Sequence, residues 1–195
     1  MSKKITSIFL IYFLQFIITS CCNCDPVLTY EKTYNGVEIK SWDTSGFRPV
    51  SSADTVYKNS FGITVETIFD LNEVAYNQPA FDLSSFGYSS AYATSCDCLP
   101  HKYIDTDPII LIVIQVTDTE TQETINVTNN FTIPGYGGES LSINDLFEQN
   151  PMMLEAFQAD MTKIDNIPDK AIFTVKYYLE SGAELVDQTQ EIIFQ

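Results

Sequence analysis

Apolar and polar residues alternate along much of the chain. From Gly36 to Trp42, Val37, Ile39 and Ser41 fall on one side and Glu38, Lys40 and Trp42 on the other. From Gly62 to Phe69, Ile63, Val65 and Thr67 oppose Thr64, Glu66 and Ile68. A period of two sends successive side chains to opposite faces of a strand, so both stretches predict half-buried β-strands. Ile109 to Val116 is a continuous aliphatic run rich in β-branched residues, too short to cross a membrane and preceded by Pro108. It predicts a central strand buried on both faces. Asp118 to Glu123 reads as a polar turn, after which Thr124 to Val127 and Phe131 to Ile133 are expected to return antiparallel to that strand. Ala171 to Leu179 places Phe173, Val175, Tyr177 and Leu179 on the inward side. Ser181-Gly182 then turns the chain into Glu184 to Phe194 as a closing hairpin.

Between these strands the pattern changes. Ser142-x-x-Asp145 resembles a capping box, and Asn150-Pro151 followed by Met153, Leu154, Phe157 and Met161 has helical spacing. One or two short helices are therefore expected before the C-terminal hairpin. Seven or so strands with regular turn signals predict a mainly β fold, an antiparallel β-sandwich of immunoglobulin-like or fibronectin-like type. No internal repeat and no long linker divides it, so residues 21–195 are expected to form one domain.

The first twenty residues read as a targeting segment. Lys3 and Lys4 precede a fourteen-residue stretch, Ile5 to Ile18, interrupted only by Thr6, Ser7 and Gln15. Spanning a hydrocarbon layer takes about twenty apolar residues, so this stretch fits a signal peptide better than a membrane helix. It ends in Ile18-Thr19-Ser20-Cys21, an aliphatic residue, two small residues and a cysteine. That sequence looks like the lipobox cut by a bacterial lipoprotein signal peptidase, which makes Cys21 the lipidated first residue. Each buried acyl methylene adds roughly 0.8 kcal/mol of membrane affinity, so several chains hold a small domain on a bilayer. Residue two would be Cys22 rather than an aspartate, which points to the outer membrane, facing the periplasm or the surface.

Cys22, Cys24, Cys96 and Cys98 remain, two Cys-x-Cys pairs about seventy residues apart in a compartment where disulfides persist. Closing Cys22 on Cys24 or Cys96 on Cys98 makes a strained small ring, so two bridges running between the pairs are expected. A four-thiolate metal site is the rival, but paired zinc ligands are usually spaced by two to four residues and need reduced thiols.

The stretch Phe81 to Cys98, FDLSSFGYSSAYATSCDC, adds a resemblance. With the lipobox, the early Cys-x-Cys and the helix-then-hairpin end, it resembles a family of small lipoproteins of Gram-negative bacteria classed as a domain of unknown function. Its most specific part is Ala91 to Cys96. The resemblance implies a lipid-anchored envelope protein and carries no catalytic residues with it.

Charge narrows the partners. Ten basic against twenty-six acidic residues give a net charge of −16. Cleavage before Cys21 leaves 175 residues with eight basic and twenty-six acidic side chains, a net charge of −18. A polyphosphate backbone would be repelled, which excludes nucleic-acid binding through a basic surface, and the anchor must be the lipid itself.

Catalytic constellations are scarce. His101 is the one histidine, so a two-histidine metal site is impossible, and its setting reads as a solvated loop. No G-x-S-x-G surrounds a serine, and Pro134 to Gly138 lacks the lysine of a phosphate-binding loop. Asp105-x-Asp107 and Asp118-x-Glu120-x-x-Glu123 could pair as acid and base, but so acidic a chain produces such clusters by chance. Phe86, Tyr88 and Tyr92 could form an aromatic platform for sugar rings. The expectation is a non-enzymatic envelope module without a cofactor, binding a protein partner, with a glycan-binding accessory as the alternative.

Overall fold

The computed structural model describes residues 27–46, 48–51, 55–77, 100–135, 140–149 and 155–195, the side chains of 75–77 excepted. The chain divides into two compact units, residues 1–31 with 72–104 and residues 32–71 with 105–195. Among the described residues it is mainly β, two sheets packed face to face with one short α-helix.

The first sheet contains β1 (Val27–Asp43), β2 (Val50–Ser51), β4 (Phe61–Asn77), β5 (Lys102–Asp105), β8 (Phe131–Pro134), β9 (Ser140–Ser142) and β10 (Ala156–Met161). Its order is β2-β1-β4-β10-β8-β9, with β5 beside β1. The second contains β3 (Thr55–Val56), β6 (Ile109–Asp118), β7 (Thr124–Asn126), β11 (Lys170–Leu179), β12 (Glu184–Gln188) and β13 (Ile192–Phe194). Its order is β3-β13-β11-β6-β7, with β12 also on β11. The run β1-β4-β10-β8 opposite β13-β11-β6-β7 is the strand order of an immunoglobulin-type sandwich. β3 pairs in parallel with β13, whereas β10 is antiparallel to β4 and β8, and β11 is antiparallel to β6, β12 and β13.

The larger unit holds the core. Every second residue of β11 from Ala171 to Leu179 is buried, as the alternation predicts. Val37 and Ile39 of β1 and Ile63 and Val65 of β4 face in as well. Phe61 stacks on Phe173 at 4.7 Å between ring centroids and meets Phe194 edge-on at 5.3 Å, while Phe131 meets Phe173 edge-on at 5.9 Å. These rings come from β4, β8, β11 and β13, so both sheets share one aromatic cluster.

Three expectations change. β6 lies between β11 and β7, but only one face is buried: Ile112, Ile114 and Val116 point inward, whereas Leu111 on the other face is exposed, as is Ile110, where the register with β11 shifts by one. A two-layer sandwich has no third layer to cover the outer face of a strand. β7 does return antiparallel to β6, yet Phe131 to Pro134 crosses to the other sheet and pairs with β10 and β9. The crossing is made by a single 3₁₀ turn, Thr128–Asn130, whose buried Thr128 hydroxyl accepts the Ile114 N–H at 2.9 Å. The helix, α1 (Ile143–Gln149), begins at the capping box, where Ser142 Oγ accepts the Asp145 N–H at 3.0 Å. Phe157 and Met161 are not helical: with Ala159 they form the inward row of β10, which pairs with β4 from Ala156 to Asp160.

Between β12 and β13 the edge strand leaves β11, and Thr189 fills the gap. Its N–H donates to the Phe173 carbonyl at 2.9 Å and its Oγ1 accepts the Phe173 N–H at 3.1 Å. Thr189→Val keeps the shape but leaves that buried N–H unpaired, and is expected to cost about 1–3 kcal/mol in denaturant unfolding, whereas Thr189→Ser restores most of the loss.

Candidate functional site

In the smaller unit the start of β1 and the approach to β5 carry an aromatic group. Tyr30 and Tyr103 stack at 5.8 Å with their planes 19° apart, and His101 stands edge-on to Tyr30 at 5.7 Å. Both tyrosines lie on strands, which holds their Cβ atoms in register. His101 Nδ1 accepts the Leu28 N–H at 3.2 Å, so the neutral ring carries its proton on Nε2. Tyr103 is 47% exposed, and Val74 and Ile104 are exposed too. Stacked rings with a hydroxyl and an imidazole N–H beside them offer a flat apolar face edged with hydrogen-bonding groups, a surface suited to a ring-shaped ligand.

The larger unit contains a buried ionic cluster. The alternation of β1 slips by one between Tyr34 and Val37, so the buried Lys32 and Tyr34 are in step with each other but out of phase with Val37 and Ile39. The Lys32 side chain is 4% exposed. Its Nζ donates to Glu155 Oε1 at 2.6 Å and stands 3.6 Å from Asp105 Oδ1. Tyr34 Oη donates to Glu155 Oε1 at 2.8 Å and lies 3.3 Å from Asp105 Oδ1. The Phe69 and Tyr34 rings flank the amine, their centroids 5.2 and 5.8 Å from Nζ. Burial first, then the two carboxylates, pushes the Tyr34 hydroxyl far above its ordinary value, so it remains a proton donor. Burial and the Glu155 charge do the same to Tyr177.

The acidic runs separate into different tasks. Asp105 turns to Lys32 and Tyr34, whereas Asp107 accepts the N–H and hydroxyl of Ser181. They do not face each other as an acid–base pair. Asp118 closes the β6–β7 turn by accepting the amides of Glu120 at 2.8 Å and Thr121 at 3.3 Å, and Glu120 pairs with Lys170 at 2.7 Å. Beside that turn is an open groove of about 570 Å³ lined by Asp118, Glu123, Asn126, Asn166, Ile167 and Pro168, among others. Among the described residues no three His, Cys, Asp or Glu side chains converge as metal ligands, and no helix is long and apolar enough to cross a membrane.

Cys21, the bridge candidates Cys22, Cys24, Cys96 and Cys98, and the platform candidates Phe86, Tyr88 and Tyr92 lie outside the described residues. His101 is exposed, as its sequence setting predicts. Sequence reasoning missed Lys32, Tyr34 and Glu155. Their one signal is a lysine two residues from a tyrosine at strand spacing, in a chain with few lysines. No family model, curated protein or solved structure matches this chain.

The turn predicts an acid response. Hydrogen bonds from Glu120, then Thr121, with help from Lys170, hold the Asp118 carboxyl below its ordinary value. A depressed value means stability that is present above the unfolded value of about 3.9 and is lost as pH falls through the lower folded value. Asp118→Asn keeps the acceptor oxygen and removes the titration. Wild type is therefore expected to melt higher than Asp118→Asn at pH 5, with the gap closing below about pH 3.9.

Proposed function

We propose that this chain is a lipid-anchored protein of the bacterial outer membrane, tethered through Cys21, whose sandwich serves as a non-enzymatic binding module for a protein partner. The observation that carries the reading is the Ile18-Thr19-Ser20-Cys21 sequence behind a basic start and a fourteen-residue apolar stretch. The resemblance of Phe81 to Cys98 to small Gram-negative lipoproteins agrees with it. β1 begins at Val27, six positions after Cys21, so the tether is at most roughly 20 Å long when extended. Bridges from Cys22 and Cys24 to Cys96 and Cys98 would shorten the freedom of that tether further. A net charge of −18 after cleavage keeps the rest of the domain off anionic headgroups, leaving loops and strand edges to the partner.

Full-length protein is expected in the membrane fraction with the mass of residues 21–195 plus acyl chains, and Cys21→Ala in the soluble fraction without them. Wild-type protein lacking acyl mass overturns the anchor.

A second reading rests on the Tyr30–Tyr103 stack with His101 beside it: an accessory that retains polysaccharide on exposed aromatic rings. Tyr103→Ala is then expected to weaken retention on a polysaccharide column severalfold to about tenfold, ~0.5–1.5 kcal/mol, with little change in melting temperature. Unchanged retention removes this reading.

A further inference from the structure

The ionic cluster holds chemistry that neither binding reading uses: a buried primary amine flanked by aromatic rings, with two carboxyls beside it. From this geometry we propose that Lys32 Nζ and Asp105 Cγ join in an intramolecular amide crosslink, with Glu155 as the acid–base group and Tyr34 as a proton relay.

Placement comes from the backbone. Thr106 donates its N–H and its hydroxyl to the Lys32 carbonyl, each at 3.0 Å, and the hydroxyls of Thr33 and Thr106 meet at 3.1 Å. These contacts pin Lys32 of β1 against the end of β5 and present Asp105 to the amine. With Nζ 3.6 Å from Oδ1, a small side-chain rotation brings the nitrogen to attack distance, about 3–3.5 Å from the reacting carbon. Such pre-alignment reaches effective concentrations of roughly 10⁵–10⁸ M.

The protons balance. The ammonium group of Lys32 gives one proton to Glu155 along the 2.6 Å hydrogen bond, freeing the nitrogen lone pair. Tyr34, hydrogen-bonded to both carboxyls, takes that proton from Glu155 as it passes its own to Asp105. The neutral amine then attacks the neutral carboxyl at Cγ. Glu155 accepts the second nitrogen proton and returns it to the departing hydroxyl. A C–N bond forms, a C–O bond breaks and one water leaves; nothing is oxidised or reduced. In water this condensation is opposed by the ionisation of acid and amine. In the cluster the amine belongs to a side chain only 4% exposed, and the amide replaces its charge and that of Asp105 with a neutral group. The product would tie residue 32 to residue 105 by a bond that does not depend on redox state, unlike the expected disulfides.

The experiment is the intact mass of the full-length chain, deacylated, reduced and unfolded, followed by peptide mapping. The expected result is a mass one water below the sequence value and a branched peptide joining Lys32 to Asp105. Asp105→Ala and Glu155→Gln are expected at full sequence mass, with no branched peptide. A wild-type chain at full mass after prolonged incubation in the folded state, with Lys32 and Asp105 in separate peptides, overturns the proposal and leaves an ion pair. A water loss without the branched peptide overturns it equally. Because the branched peptide is read from wild type, the test stands even where a variant fails to fold.

Discussion

The contact between Phe61 and Phe173 across the two sheets is the interaction on which the rest of the sandwich depends. One ring comes from β4 and the other from β11, and Phe131 and Phe194 close on them from β8 and β13. Each sheet alone would expose a continuous apolar face. Offset and edge-on rings fill the space between layers at distances that an aliphatic mixture would leave uneven. Because strands of both sheets contribute, the cluster also sets which face of each strand is inside. A slip of one residue would turn Phe173, Val175 and Tyr177 out together.

Around that core, polar groups manage the places where regular pairing stops. Thr128 and Thr189 substitute for ladder partners where the chain leaves a sheet, and the Asp187 carboxylate accepts the N–H of Ile39 at 2.9 Å. These bonds pair the backbone amides of Ile114, Phe173 and Ile39 at those breaks. The same accounting explains the cost of the Lys32 cluster. A lysine withdrawn from water in a chain with so large an acidic excess has to be met by carboxylates, and Glu155 and Asp105 meet it. Buried ion pairs contribute little net stability once desolvation is counted, so their presence asks for a use beyond holding the fold. A covalent bond between two members of the cluster would be such a use.

The functional proposals draw on different parts of the chain. The proposed anchor would lie in residues 1–21, and the aromatic face belongs to strand segments of the smaller unit. The amide chemistry belongs to the larger unit. A sandwich suits all three because its strands hold side chains in fixed register while loops and edges are left to vary.

The strands around Val37, Ile63 and Phe173 were legible from sequence because one buried face forces a period of two, and that period survives any arrangement of neighbours. The capping box of α1 was legible for the same reason: Ser142 and Asp145 satisfy each other locally. Phe157 and Met161 were misleading, since a separation of four fits both a helix and a strand, and only pairing with β4 decided between them. Ile110 and Leu111 read as core, but whether an apolar side chain is covered depends on what lies outside its strand. Lys32, Tyr34, Asp105 and Glu155 are separated by up to 123 positions in the chain, and no local pattern marks them as neighbours. By itself the sequence determined the alternation and the local cap, each a matter of residues within a few positions. Tertiary structure alone decided the sheet each strand joined and the charges brought together, because those rest on distances between residues remote in sequence.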